Sequence, residues 1–251
     1  MSAAAGQRLQ KALAHLGLAS RREVEGWIRA GRLTVNGQAA TLGMRVLASD
    51  KVRLDGRLVR QRVGSAIKVF VVHRSPGVEM RELLQTLPRS GGRRFVAVSP
   101  MPAIDGGLEL VSSDGETAER LQRGVRRLQM AFSVRMHGEL SAEGVVRVIQ
   151  GKLDNGTTVS VHSCDAAGGE GSNRWYDLTA VGASGKDVRQ LFERQGAMVS
   201  RVLRTRLGSV TLDRSLPRGR SRLLTDEEAA TLTAALLGVE AAPADPAAGR
   251  P

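Results

Sequence analysis

The chain has 251 residues, 41% of them hydrophobic, and carries 37 Lys and Arg against 25 Asp and Glu, a formal charge of +12. That length and apolar content suit a globular protein of one large domain or two smaller ones, and the charge favours a polyanionic partner. No run is apolar enough to span a membrane and the N-terminus has no signal-peptide core, so a membrane role is excluded and a cytoplasmic protein is expected.

The basic residues are clustered: residues 1–62 hold twelve Lys or Arg against four acids, and 186–222 hold ten against three. In residues 7–17, Leu9, Leu13 and Leu16 recur at helical spacing, with Arg8, Lys11 and His15 elsewhere on the cylinder. Ser20-Arg21-Arg22-Glu23 is a capping box that starts a second helix, which runs to about Ala30 and stops at Gly31. Leu33–Val35 with Asn36-Gly37, and Lys51–Leu54 with Asp55-Gly56, are strand and hairpin-turn signals. Arg21 and Arg22 fall at a helix N-terminus, where free amides and the helix dipole favour phosphate. Arg8 and Lys11, one turn apart on the first helix, would grip a neighbouring phosphate.

Two short helices followed by a small sheet, with Arg8-Leu9, Gly17 to Arg22, Gly31-Arg32 and Val35-Asn36-Gly37 in place, resemble the alpha-L RNA-binding motif. The resemblance implies an RNA-binding domain at 1–62 that uses Arg8, Lys11, Ser20, Arg21, Arg22, Arg32 and Asn36. Structured RNA is read largely through backbone and shape, so sequence specificity need not reside here. With only seven aromatic residues in the chain, a stacking platform for single-stranded bases is not expected.

A linker is expected at about Arg57 to Ala66, then a buried strand at Lys68–Val72 and a helix at Val78–Leu87 ended by Pro88. Phe95–Val98 and Leu108–Val111 predict two buried strands around a tight loop, closed by a Ser112-Ser113-Asp114-Gly115 turn. Glu116–Leu128 predicts an amphipathic helix with Leu121, Val125 and Leu128 inward, and Leu140–Gly151 a small one. Gly168 to Ser172 lacks the Lys-Ser/Thr ending of a nucleotide loop and reads as a flexible turn. Trp175–Thr179 is a strand, Val188–Gln195 a helix that buries Val188, Leu191 and Phe192, and Thr225–Leu237 a capped helix. Arg201, Arg204 and Arg206 alternate near a strand, as a phosphate-facing track or a solvated face. The Ala/Pro-rich end, 239–251, is expected to be disordered. Cys164 stands alone, which excludes a disulfide framework, and has no basic cluster to activate it; the four histidines show no metal-ligand spacing.

The stretch from Gly107 to Gly115 resembles the active-site segment of bacterial ribosomal-RNA pseudouridine synthases, which read Gly-Leu-Leu-Leu-Leu and then Thr-Asn-Asp-Gly. Ser184 to Phe192 is similar to their Gly-Arg-Asn-Arg-Glu-Val-Arg-Arg-Leu-Phe, and Gly196 to Arg204 and Gly208 follow in register. The resemblance implies an α+β fold: the small RNA-binding domain, then at 63–238 a mostly antiparallel sheet with flanking helices. The family loop reads Gly-Arg-Leu-Asp five residues before the glycine, and here Ser99-Pro100-Met101-Pro102 stands there. Pro102 thus takes the position of the catalytic aspartate, Pro100 that of the arginine, and Phe132 that of the family tyrosine. A basic residue at the position of Lys186 pairs with that aspartate in the family, and Arg189 follows on the same helix.

Pro102, Asp105, Phe132, Lys186 and Arg189 accordingly outline a degenerate cleft in which no residue is assigned a catalytic role. The implied reaction needs no cofactor or metal. The expected protein is a monomer that binds structured ribosomal RNA and does not isomerise uridine. One alternative is an active synthase using Asp105, which otherwise reads as a turn residue. The other is a translation-stress RNA binder acting through the N-terminal module.

Overall fold

Ser20 starts the helix it was predicted to start, and most of the molecule can be followed outward from such local signals. The structure is a computed structural model and describes residues 6–16, 18–47, 49–59, 69–88 and 95–237. The chain divides into two compact units, one of Met1–Lys68 with Pro88–Val96 and Ser112–Ala118, the other of Val69–Leu87, Ala97–Val111 and Glu119–Pro251. The expected tail and residues 60–66 of the expected linker lie outside the described residues.

In the first unit, β1 (Gln7–Arg8) leads into α1 (Leu9–His15) and α2 (Arg21–Arg29). Ser20 Oγ accepts from the Glu23 amide, and the Glu23 carboxylate accepts from the Ser20 amide at 2.8 Å, the predicted reciprocal cap. β2 (Leu33–Val35), β3 (Gln38–Ala39), β4 (Arg45–Val46), β5 (Val52–Leu54) and β6 (Arg57–Leu58) follow. β3, β2, β5 and β6 form an antiparallel sheet and β1 pairs with β4. Leu9, Leu13, Val24, Ile28, Leu33 and Val52 close its core. Two sequence expectations need correction. Arg8 is the residue before α1 rather than part of it, so it is not on the same helical cylinder as Lys11. Arg57 and Leu58 are a strand rather than linker.

The second unit holds a long sheet. The elements that follow in the chain are β7 (Val69–Arg74), α3 (Met80–Thr86), β8 (Val96–Ala97), β9 (Gly106–Ser112), α4 (Gly115–Gly124) and β10 (Gln129–His137). After these come α5 (Ala142–Ile149), β11 (Ser160–Glu170), β12 (Asn173–Val181), α6 (Gly185–Glu193), β13 (Met198–Leu207), β14 (Val210–Thr211), β15 (Ser221–Leu223) and α7 (Asp226–Leu237). The strand order is β11-β12-β10-β13-β9-β7-β15, with β14 on β13 and β8 on β9. β13 runs parallel to β9, while β10, β11 and β12 pair antiparallel, as the α+β reading expects.

Alternation on β10 sends Met130, Phe132, Val134 and Met136 into the core, where Tyr176, Leu178, Leu191 and Phe192 meet them. β9 is buried along its whole length, as a central strand covered on both faces must be. The predicted Phe95–Val98 strand shrinks to two half-buried residues. The Ser112–Gly115 turn is instead a helix start, in which Asp114 Oδ2 accepts from the Thr117 amide at 2.7 Å. Gly168, Gly169 and Glu170 belong to β11, not to a free loop, and the turn itself is only Gly171-Ser172.

Candidate functional site

The loop at 99–105 joins β8 to β9, and the sequence dictates where it sits. Gly107 has φ +91° and lies opposite Arg204 on β13, and a methyl group there would run into the Arg204 carbonyl oxygen. The close approach brings the loop over the first turn of α6. There Gly185 leaves room for Met101 and Pro102, into which a β-carbon would collide. Within the loop the Asp105 amide donates to the Pro102 carbonyl at 3.0 Å, and the Gly77 amide to that of Ala103 at 2.7 Å.

Beneath the loop lies a buried ionic triad. Arg74 donates through Nε to Glu109 Oε1 at 2.9 Å, through Nη2 to the carbonyls of Met101 and Pro102 at 2.8 Å each, and through Nη1 to Val78. Glu109 also accepts from the Met101 amide at 3.0 Å and from Arg204 Nη2 at 2.8 Å. Arg204 Nε donates to the Leu108 carbonyl. Burial pushes the Glu109 carboxyl above its ordinary value, while Arg204 and Arg74 pull it back; burial likewise lowers Arg204. One carboxylate thus holds two guanidiniums, and one of those guanidiniums holds the loop backbone. None of the three was expected to act there. Arg204, read as phosphate-facing or solvated, is 1% exposed and faces neither RNA nor water. The signal was an acid inside an otherwise apolar strand, Gly107-Leu108-Glu109-Leu110-Val111.

Of the residues outlined as a degenerate cleft, one charged pair comes together, Asp105 with Arg189. Pro102 packs against Gly185, directly before Lys186. Asp105, 0% exposed, accepts from Arg189 Nη2 at 2.5 Å and from the Val202 amide at 2.9 Å on Oδ1, and from Arg189 Nε at 3.4 Å on Oδ2. Partial burial pulls the Arg189 guanidinium down, but Asp105 and Glu193 together raise it above its ordinary value. The cation paired with a loop carboxylate is therefore Arg189, one turn further along α6 than the expected Lys186. Lys186 is exposed and, among the described residues, has no carboxylate within ion-pair distance. Phe132 is 1% exposed in the core, opposite Leu178 and Arg204, so its ring is not presented for stacking.

In the first unit, Ser20 caps α2, and Asn36, at φ 52°, accepts from the Lys51 amide and donates to Asp50. Arg32 is gripped by Asp55 through two bonds and covers the Trp27 ring at 5.7 Å. These three have structural work of their own. Arg8, Arg21 and Arg22 are exposed, and Lys11 is half-buried. Burial, with help from Asp165, pushes the Cys164 thiol up to about 12, away from the thiolate form that reacts. Among the described residues no cluster of metal-ligating side chains occurs, and no helix is long and apolar enough to cross a membrane.

Comparison with known proteins bears on the family and the fold. The S4 domain model matches residues 7–52. Ribosomal large subunit pseudouridine synthase B of Pseudomonas aeruginosa is 35% identical over 89% of this chain, which spans 61% of that relative's length. The protein of the same name from Yersinia pestis is 35% identical over 85% of this chain, and 71% of it is covered. The crystal structure of a pseudouridylate synthase superposes with a TM-score of 0.59 at 19% identity, covering 90% of this chain and 99% of the other, a likeness of fold.

Proposed function

The chain belongs to the ribosomal-RNA pseudouridine synthases that carry an N-terminal S4 module, and within that family we propose that it binds structured ribosomal RNA without isomerising uridine. The observation that carries the proposal is the sequestered state of Asp105, the only carboxylate in the 99–105 loop. It has no exposed surface, and Arg189 and the Val202 amide occupy it. A carboxylate that attacks an extruded pyrimidine must reach within about 3–3.5 Å of the reacting atom. At the family's aspartate position, Pro102 offers neither a nucleophile nor a proton acceptor. Losing a covalent catalyst's nucleophile lowers turnover on the order of 10⁶-fold. The S4 module, with Arg8, Lys11, Arg21 and Arg22, would supply phosphate contacts, and the protein would work in the cytoplasm as a monomer.

One observation favours the second reading, an active synthase. Asp105 is paired with a cation of α6, the kind of partner the family gives its catalytic acid. Single-turnover conversion of bacterial large-subunit rRNA, followed by mapping of pseudouridine, separates the two. The proposal expects no conversion by the wild type and, at most, activity gained in Pro102→Asp. Site-specific conversion by the wild type, lost in a folded Asp105→Asn variant, establishes the second reading.

A further inference from the structure

We infer that the sheet of the second unit carries a separate site for one unpaired nucleotide of single-stranded RNA, with Trp175 as the stacking surface and Arg135 and Arg201 as the phosphate ligands. The inference rests on the chain's being an RNA-binding protein, and not on whether the Asp105 loop is catalytic. Three neighbouring strands set the residues side by side. Trp175 on β12 lies opposite Arg135 on β10, and Arg135 lies opposite Arg201 on β13. Directly opposed residues project from the same face, and here it is the face away from Val134 and Tyr176, hence away from the core. Asn173, two residues before Trp175, shares that face, and Glu170 on β11 lies opposite Asn173. With the bare backbone of Gly169 they line an open cleft of 540 Å³, a size that admits a nucleotide.

The arginines of this cleft differ from those locked into short ion pairs elsewhere in the unit. The half-buried Arg189 and Arg222 and the buried Arg74 and Arg204 each face a carboxylate within 3 Å. Arg135 and Arg201 are partly buried too, yet among the described residues neither has a carboxylate within ion-pair distance. Two partly desolvated guanidiniums side by side, with Glu170 in the cleft but not within ion-pair distance of either, favour an added anion. The two tryptophans show the same contrast. Trp27 is covered by Arg32, whereas among the described residues no ring or guanidinium stacks on Trp175. An indole beside two guanidiniums that make no ion pair among the described residues matches a base with its flanking phosphates, while Asn173 and the exposed Glu170 offer hydrogen bonds to a base edge. The scarcity of aromatics that argued against a stacking platform limits this one to a single base.

The test titrates the full chain with a five-nucleotide oligouridylate and an oligoadenylate, reading tryptophan fluorescence in the Trp27→Phe background so that the signal is that of Trp175. Saturable quenching is expected. Trp175→Ala should weaken binding roughly 5- to 100-fold and Trp175→Phe much less, a rescue that a merely structural role would not give. Arg135→Gln and Arg201→Gln should each lower the slope of log affinity against log salt by about 0.7. Absence of quenching, oligonucleotide affinity unchanged in Trp175→Ala, or equal competition by an acidic peptide would overturn the site. If the same preparation still binds structured rRNA, only this inference falls and the family reading is untouched.

Discussion

Asp105 and Glu109 are both carboxylates shut away from water, four residues apart in the chain, and each neutralises arginine from another element. Removing one member of a buried ion pair strands the other charge, at a cost of about 3–5 kcal/mol. Glu109→Gln should therefore lower stability by roughly that amount, because two guanidiniums lose their partner. Asp105→Asn should fall at the lower end, about 3 kcal/mol, since Arg189 keeps some contact with water and with Glu193. Denaturant unfolding of the two variants checks both. If Asp105 served chemistry alone, its loss would leave stability unchanged. At this scale the sequence was only partly legible. Pro102 and Asp105 could be named because they depart from or adjoin a recognisable pattern. The pairing of Asp105 with Arg189 rather than Lys186 depends on the helical turn that faces the loop, and spacing alone does not fix that. Arg204 looked like a surface arginine because its partner Glu109 is almost a hundred residues away.

The starts of α2 and α7 were the most legible, since a Ser or Thr three residues before an acid is a local signal that packing seldom overrides. α2 and α7 began as expected. α6 begins three residues earlier than the apolar pattern suggested, because Ser184 and Asp187 form a reciprocal cap that the Val188 periodicity does not include. Ser184→Ala should lower stability by about 1 kcal/mol, and because Gly185 packs on Met101 and Pro102, amide exchange in the 99–105 loop should speed up with it. At α7, Thr225 Oγ1 accepts from the Glu228 amide, and the Glu228 carboxylate accepts from Arg222 and the Thr225 amide. Arg222 foremost holds the Glu228 carboxyl below its ordinary value of 4.5, with burial opposing. Its folded pKa is depressed, so its contribution to stability is present above pH 4.5 and is lost as pH falls through the folded value. The difference in melting temperature between wild type and Glu228→Gln should shrink steadily below pH 4.5; a difference that grows on acidification would contradict this. Phe95–Val98 and the Gly168–Ser172 stretch were misjudged for one reason. Strand length there is set by pairing with another strand, β9 for the first and the hairpin partner β12 for the second.

Across the whole molecule, a +12 chain carries an S4 module before a synthase-like sheet, and the proposed function gives the module the holding of RNA. If Arg21 and Arg22 each neutralise one phosphate of a structured RNA, replacing both by Ala should reduce the slope of log affinity against log salt by about 1.8. Replacing Ser20 or Asn36, which hold backbone, should act through stability instead, and affinity measured at several salt concentrations distinguishes the two. The class of fold was readable because each motif is compact in sequence. The burial of Phe132 and the separate Trp175 face were not, since both follow from which side of a long sheet meets the helices. The central claim, that this fold binds its RNA without remaking it, is tested most directly by single-turnover mapping of pseudouridine in large-subunit rRNA incubated with excess wild-type protein. The account predicts stable binding with no conversion above the protein-free control, and conversion at a defined uridine, abolished by Asp105→Asn while binding persists, would contradict it.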